Sequence, residues 1–164
     1  MGFFGRKRRG NEPPPAVYED LRKQVLHLTS GQLGDEFAEA PIRALLMETG
    51  YRQGVATLVG VVDGTSSLYF SNGGGSIGAG THVAVADANA RWLEAGVAAL
   101  PELSAVTDPS LPSVGMTQFV AVTPKGLRGA KAPEEELGEG QHALSPFFYA
   151  GQGVITQIRL SQGA

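Results

Sequence analysis

The run Val55-Ala-Thr-Leu-Val-Gly-Val-Val62, followed by Asp63-Gly64 and then by Thr65-Ser-Ser-Leu-Tyr-Phe-Ser71, constrains the fold more than any other part of the chain. Valine and aromatic residues suit the pleated, half-buried surface of a strand. Asp-Gly tolerates the positive φ angles of a tight turn, so the two runs are expected to pair as antiparallel strands of a hairpin.

Around this hairpin the chain alternates helical and strand patterns. Val17, Leu21, Val25 and Leu28 recur at three- and four-residue spacings and predict a first helix with one stripe towards a core. Pro41 at an opening position, Ile42, Leu45 and Leu46 on one side and Gly50 as a stop predict a short second helix. The glycine-rich segment Gly73 to Gly80 leads into a helix from about Val83 to Leu100, and Pro101 through Pro112 reads as a loop. Met116 to Val122 reads as a third strand, Thr123-Pro124-Lys125-Gly126 as a turn and Leu127 to Ala132 as a fourth strand. Glu134, Glu135, Glu136 and Glu139 form an acidic connection. Ser145 as cap and Pro146 as first residue open a closing helix, with Leu144, Phe147, Phe148, Ile155 and Ile158 at helical spacings; Gly151 and Gly153 weaken it. Hairpins joined by helices imply an α+β domain, an antiparallel sheet with helices packed on it.

At 164 residues, of which 42% are hydrophobic and 18% charged, the chain has the composition of one globular domain. Residues 16–164 are assigned to that domain. Residues 1–15 lack periodicity and end in Pro13-Pro14-Pro15, so they are read as a flexible, basic, proline-rich arm. Arg6, Lys7, Arg8 and Arg9 carry +4, and removing that from the net charge of −3 leaves −7 for the rest. Any affinity for polyanions belongs to the arm. The absence of cysteine excludes disulfides, thiolate metal sites and a cysteine nucleophile. Asn11, Glu12 and three prolines follow the basic stretch where a secretory signal would need an apolar run, and no window is long enough to span a membrane, so a cytoplasmic protein is expected.

The hairpin Val55 to Ser71, the glycine-rich corner Gly73 to Gly80, the alanine-rich helix Val83 to Leu100 and the terminal helix together resemble the roadblock family of dynein light chain-like domains and its profilin-like relatives. The resemblance is one of topology over residues 16–160. It implies a noncatalytic, dimeric scaffold or regulator, in bacteria often one linked to small GTPases. The family has three strands in the second half of its sheet, where this sequence shows two.

Several residues invite chemical readings. Gly73-Gly74-Gly75-Ser76-Ile77-Gly78 fits the G-x-G-x-x-G turn whose amides approach a pyrophosphate, which makes Gly73, Gly75, Ser76 and Gly78 a candidate ligand loop. A preceding hairpin arm, a helix that starts well past Gly78 and the lack of a crossover to a parallel strand favour a plain corner instead. His27, His82 and His142 stand in no metal-ligand spacing, and neither a P-loop nor a G-x-S-x-G elbow occurs. No cofactor is expected. An enzyme would have to assemble scattered polar residues such as His82, Asp63 and Glu48. The glutamates 134–139 read as a solvated loop, and Asp87, Arg91 and Glu94 as the solvent strip of their helix. In the arm, Phe3, Phe4, Arg6, Lys7, Arg8 and Arg9 are candidate contacts for an anionic surface or lipid, while no specific nucleic-acid binding is expected. Gly2 fails as a myristoylation signal because position 6 is Arg.

The helix from Val83 to Leu100 carries two apolar faces, Ala86, Ala90, Leu93, Val97 and Leu100 on one and Val85, Ala88, Trp92, Ala95 and Ala99 on the other. A sheet covers only one of them, so the Trp92 face is expected at a homodimer interface unless Phe147 and Phe148 of the terminal helix cover it. The function expected is therefore a noncatalytic homodimeric interaction or regulatory module with an unknown protein partner. The alternative is a small-ligand or nucleotide-binding sensor that uses residues 73–80.

Overall fold

The hairpin forms β2 (Gly54–Val61) and β3 (Ser66–Phe70) in a computed structural model that describes residues 16–73, 75–76 and 82–163. Gly64 takes φ of 101° in the turn, and Asp63 Oδ1 accepts the Thr65 N–H at 3.0 Å. The rest of the sheet is built from β1 (Ala44–Tyr51), the two-residue β4 (Gly75–Ser76), β5 (Ser104–Val106), β6 (Met116–Thr123) and β7 (Gly126–Pro133). Their order across the sheet is β4-β3-β2-β1-β6-β7-β5, and every neighbouring pair is antiparallel. The helices are α1 (Ala16–Leu26), α2 (Val83–Ala99), the short α3 (Glu134–Gly138) and α4 (Ser145–Gly163). The expected α+β class, an antiparallel sheet with helices packed on it, is what the chain adopts. Among the described residues no helix is long and apolar enough to cross a membrane.

Side chains alternate across the sheet, and each face has its own cover. Leu45, Met47, Leu58, Leu68, Phe119 and Ala121 face α2 and α4, where Val85, Ala88, Trp92, Phe147, Val154 and Ile158 complete the larger core. Ala44, Leu46, Val59, Tyr69, Val120 and Val122 face the other way, towards Tyr18 and Leu26 of α1. The molecule is three layers thick.

Four expectations are corrected. Residues 41–50 are not a helix: from Ala44 onward they are the central strand β1. A continuous apolar run suits a buried helix and a strand buried on both faces equally well, and only the strand has neighbours to pair with on each side. The loop after α2 contains an edge strand, β5, so the second half of the sheet has three strands. The acidic connection is partly helical, because Leu137 is buried and anchors α3. In α1, Val17 is 62% exposed and Tyr18 and Leu26 are buried in its place, so the helix is rotated from the stripe that spacing suggested.

The dimer face is a further correction. Val85, Ala88, Trp92 and Ala99 are buried inside the single chain, and Ala95 packs half-buried against the same core. Trp92 is fully enclosed, with its ring 6.2 Å from that of Phe147, which in turn stacks on Phe119 at 4.7 Å. Two glycines make the room. A Cβ on Gly60 would meet the Asn89 amide and stand 2.8 Å from the indole, and one on Gly151 would stand 2.8 Å from the Met47 side chain and 3.1 Å from Trp92 Nε1. The helix weakness introduced by Gly151 is the condition for α4 to lie close enough to cover Trp92.

Removal of a fully buried large aromatic leaves a cavity as well as forfeiting its transfer free energy. Trp92→Ala is expected to lower unfolding stability by about 3–5 kcal/mol in urea titration. A loss below about 1 kcal/mol would place Trp92 outside the core.

Candidate functional site

The most concentrated polar chemistry in the described structure lies between α1 and the sheet. Glu48 falls in the middle of β1, on the face that also carries Thr57 of β2 and Gln118 of β6, its two cross-strand partners. Tyr18 and Arg22 are four residues apart on α1 and therefore reach the sheet side by side. The Glu48 side chain is 0% exposed and that of Arg22 is 13% exposed.

Both carboxylate oxygens are fully used. Glu48 Oε2 accepts Arg22 Nε–H at 2.6 Å and the Thr57 hydroxyl at 3.0 Å, while Oε1 accepts Arg22 Nη2–H at 2.9 Å and Gln118 Nε2–H at 3.0 Å. The guanidinium thus forms a bidentate fork, the strongest geometry for such a pair. Arg22 Nη2 also donates to the Pro109 carbonyl at 2.9 Å, and Gln118 Nε2 to the Ser110 carbonyl at 2.8 Å. Because Thr57 gives its proton to Glu48, its oxygen accepts the Tyr18 hydroxyl at 2.7 Å. Burial opposes the Arg22 charge, but the hydrogen bond and negative charge of Glu48 outweigh it and hold the guanidinium above its ordinary pKa. Burial pushes the Tyr18 phenol up to about 12, with the Glu48 charge adding to the effect and Thr57 and Arg22 partly offsetting it. The loop that supplies Pro109 and Ser110 turns at Asp108, which takes φ of 50°. The cluster is closed on itself, and its chemistry is that of an anchor.

The residues singled out in the sequence are placed apart. Glu48 is in this cluster, whereas Asp63 lies beyond the end of β2, in the turn to β3, where its side chain accepts the Thr65 N–H. His82 is exposed at the start of α2, His27 is exposed with Nδ1 2.9 Å from the Lys23 carbonyl, and His142 Nδ1 accepts the Leu144 N–H at 3.0 Å. Among the described residues no three His, Asp or Glu side chains gather as metal ligands. Of the ligand loop, Gly73 takes φ of 103°, and Gly75 and Ser76 pair as β4 with Tyr69 and Leu68. Gly78 lies outside the described residues, as do Phe3, Phe4, Arg6, Lys7, Arg8 and Arg9. Asp87, Arg91 and Glu94 are all exposed, as expected of a solvent strip. The Tyr18–Arg22–Glu48 cluster was not read from the sequence. Its one local signal is a charged residue that directly follows the apolar run Ala44 to Met47.

A second feature is a half-open hollow of about 220 Å3 at the β1–β2 turn, lined by Tyr51, Gln53, Gly54, Val55, Ala56, Phe70 and Asn72. Tyr51 is 44% exposed, and its hydroxyl donates to Glu134 Oε2 of α3 at 3.3 Å.

Two outcomes follow for the anchor. Arg22→Met leaves a buried charge without a partner and is expected to cost about 3–5 kcal/mol of stability, while Arg22→Met with Glu48→Leu recovers most of the loss. A single-variant loss below about 1 kcal/mol in urea titration would show that the pair does not anchor α1. For Tyr18, the folded state holds the proton more tightly than the unfolded chain, so its contribution is present below pH 10 and lost as pH rises from 10 through about 12. That loss is expected to be about 2–3 kcal/mol and to disappear in Tyr18→Phe.

Comparison of the chain with protein-family models, with curated proteins and with solved structures found no match in any of the three.

Proposed function

We propose that the chain is a noncatalytic homodimeric interaction module that associates through the outward face of α2. The observation that carries this reading is the second apolar stripe of that helix. Val83, Ala86, Ala90, Leu93 and Val97 follow one another at alternating spacings of three and four, the pattern of a helix-pairing seam. With the Trp92 face turned inward, Val83, Ala90 and Val97 of this stripe are turned outward: Val83 is 75% and Val97 43% exposed and Ala90 is exposed, while Ala86 is half-buried and Leu93 is half-buried against the inner core.

A second copy is the occupant that fits this stripe. A two-fold axis across α2 sets the same residues against each other, and the alanines at its centre allow two helices to approach closely. Asp87, Arg91 and Glu94 border the stripe and supply charges of both signs to the rim. The polar cluster under α1 supports a structural part for the buried charges, since its members are committed to one another. The roadblock-like resemblance of the sequence points the same way, to a dimeric scaffold with a small GTPase as its partner class. For the nucleotide-sensor alternative, Gly75 and Ser76 are engaged in the sheet as β4.

Light scattering and sedimentation over a range of concentrations test the proposal. The wild type is expected to be a dimer, and Ala90→Arg with Val97→Glu a folded monomer with stability changed by less than about 0.5 kcal/mol, as for exposed positions. A wild type that stays monomeric at high concentration overturns it.

A further inference from the structure

We infer that the hollow beside the β1–β2 turn is the docking site for the aromatic end of this chain's own N-terminal arm, Phe3 and Phe4. The inference is independent of the α2 dimer.

The hollow has the size and chemistry of an aromatic receptor. A cavity of about 150 Å3 holds a benzene molecule, so 220 Å3 accommodates one phenyl ring. Tyr51, Val55, Ala56 and Phe70 supply apolar walls, and the Gln53 and Asn72 amides stand beside them.

Proximity and charge select the arm. Tyr18 and Arg22 meet Thr57 and Glu48, which lie opposite each other three residues from the turn ends Gly54 and Tyr51, and the Leu28 carbonyl accepts Arg43 Nη1–H at 3.4 Å at the other end of β1, so α1 runs away from the β1–β2 turn. Its N-terminus, where the arm joins, is therefore at the same end as the hollow. Eleven residues, 5–15, lie between Phe4 and Ala16, and an extended chain of that length spans up to about 40 Å. That is enough to pass from the α1 side of the sheet to Phe70. Beyond Tyr51 lies α3, with Glu134 bonded to Tyr51 and Glu135, Glu136 and Glu139 exposed. Arg52 in the turn and Arg159 of α4 oppose part of that charge. The acidic helix is the counterpart of Arg6, Lys7, Arg8 and Arg9, which follow the two phenylalanines directly.

The chain contains no cysteine, so engineered pairs report proximity without background. In the full-length protein, Gly5→Cys is combined with Gln53→Cys at the hollow or with Lys125→Cys at the other end of the sheet, both exposed positions. Disulfide formation under dilute, mildly oxidising conditions is expected to be at least tenfold faster for the Gln53 pair, to occur within one chain, to slow in high salt and to fall to the Lys125 rate when Phe3→Ser and Phe4→Ser are added. Equal rates at the two positions, a rate indifferent to the loss of both phenylalanines, or a disulfide joining two chains would each overturn the inference.

Discussion

Glu48 has no exposed surface, sits on the central strand, and is held by groups from α1, β2 and β6. Apolar burial is non-directional, so Leu21, Val25 and Leu26 alone would let α1 slide or turn over the sheet. The bidentate fork of Arg22 fits Glu48 in one geometry. It is this pair that fixes which residues of α1 face inward, and it explains why Val17 is left in water while Tyr18 is buried. The Pro109 and Ser110 carbonyls join the same cluster, so the loop between β5 and β6 is tied down by the same charge.

The opposite face of the sheet is assembled by a different rule. There the layer is apolar and depends on shape, with Phe119, Phe147 and Trp92 in succession and glycines at the two points where a side chain would block the indole. Close packing of this kind admits one arrangement of α2 and α4. It also determines the surface, because a helix whose large face is committed inward presents its small one outward. The exposed stripe Val83, Ala90 and Val97 is thus a consequence of how Trp92 is housed.

Much of the fold was legible locally. The β2–β3 hairpin, α2, the β6–β7 pair and α4 each carry their own signal within a short window, through turn residues, caps and period. The central strand did not, because its apolar run is buried on both faces and loses the alternation that marks a strand. Nor did β5, three residues long, or α3, whose three consecutive glutamates hid the single anchoring leucine. The cluster at Glu48 was out of reach for another reason: Arg22 and Glu48 are 26 residues apart and Gln118 a further 70, and nothing short of the sheet register brings them together.

What the sequence by itself determined is therefore what short windows of the chain can specify: the antiparallel pairs β2–β3 and β6–β7, the closing helix α4, and a helix α2 with two apolar stripes. Which stripe is inside was decided only in the tertiary structure. The choice depends on the space left by Gly60 and Gly151 and on the ring of Phe147, residues that are distant along the chain and adjacent only once the sheet and α4 are in place. Trp92 fills that space and the alanine stripe does not, so the larger apolar area is removed from water when the tryptophan turns inward.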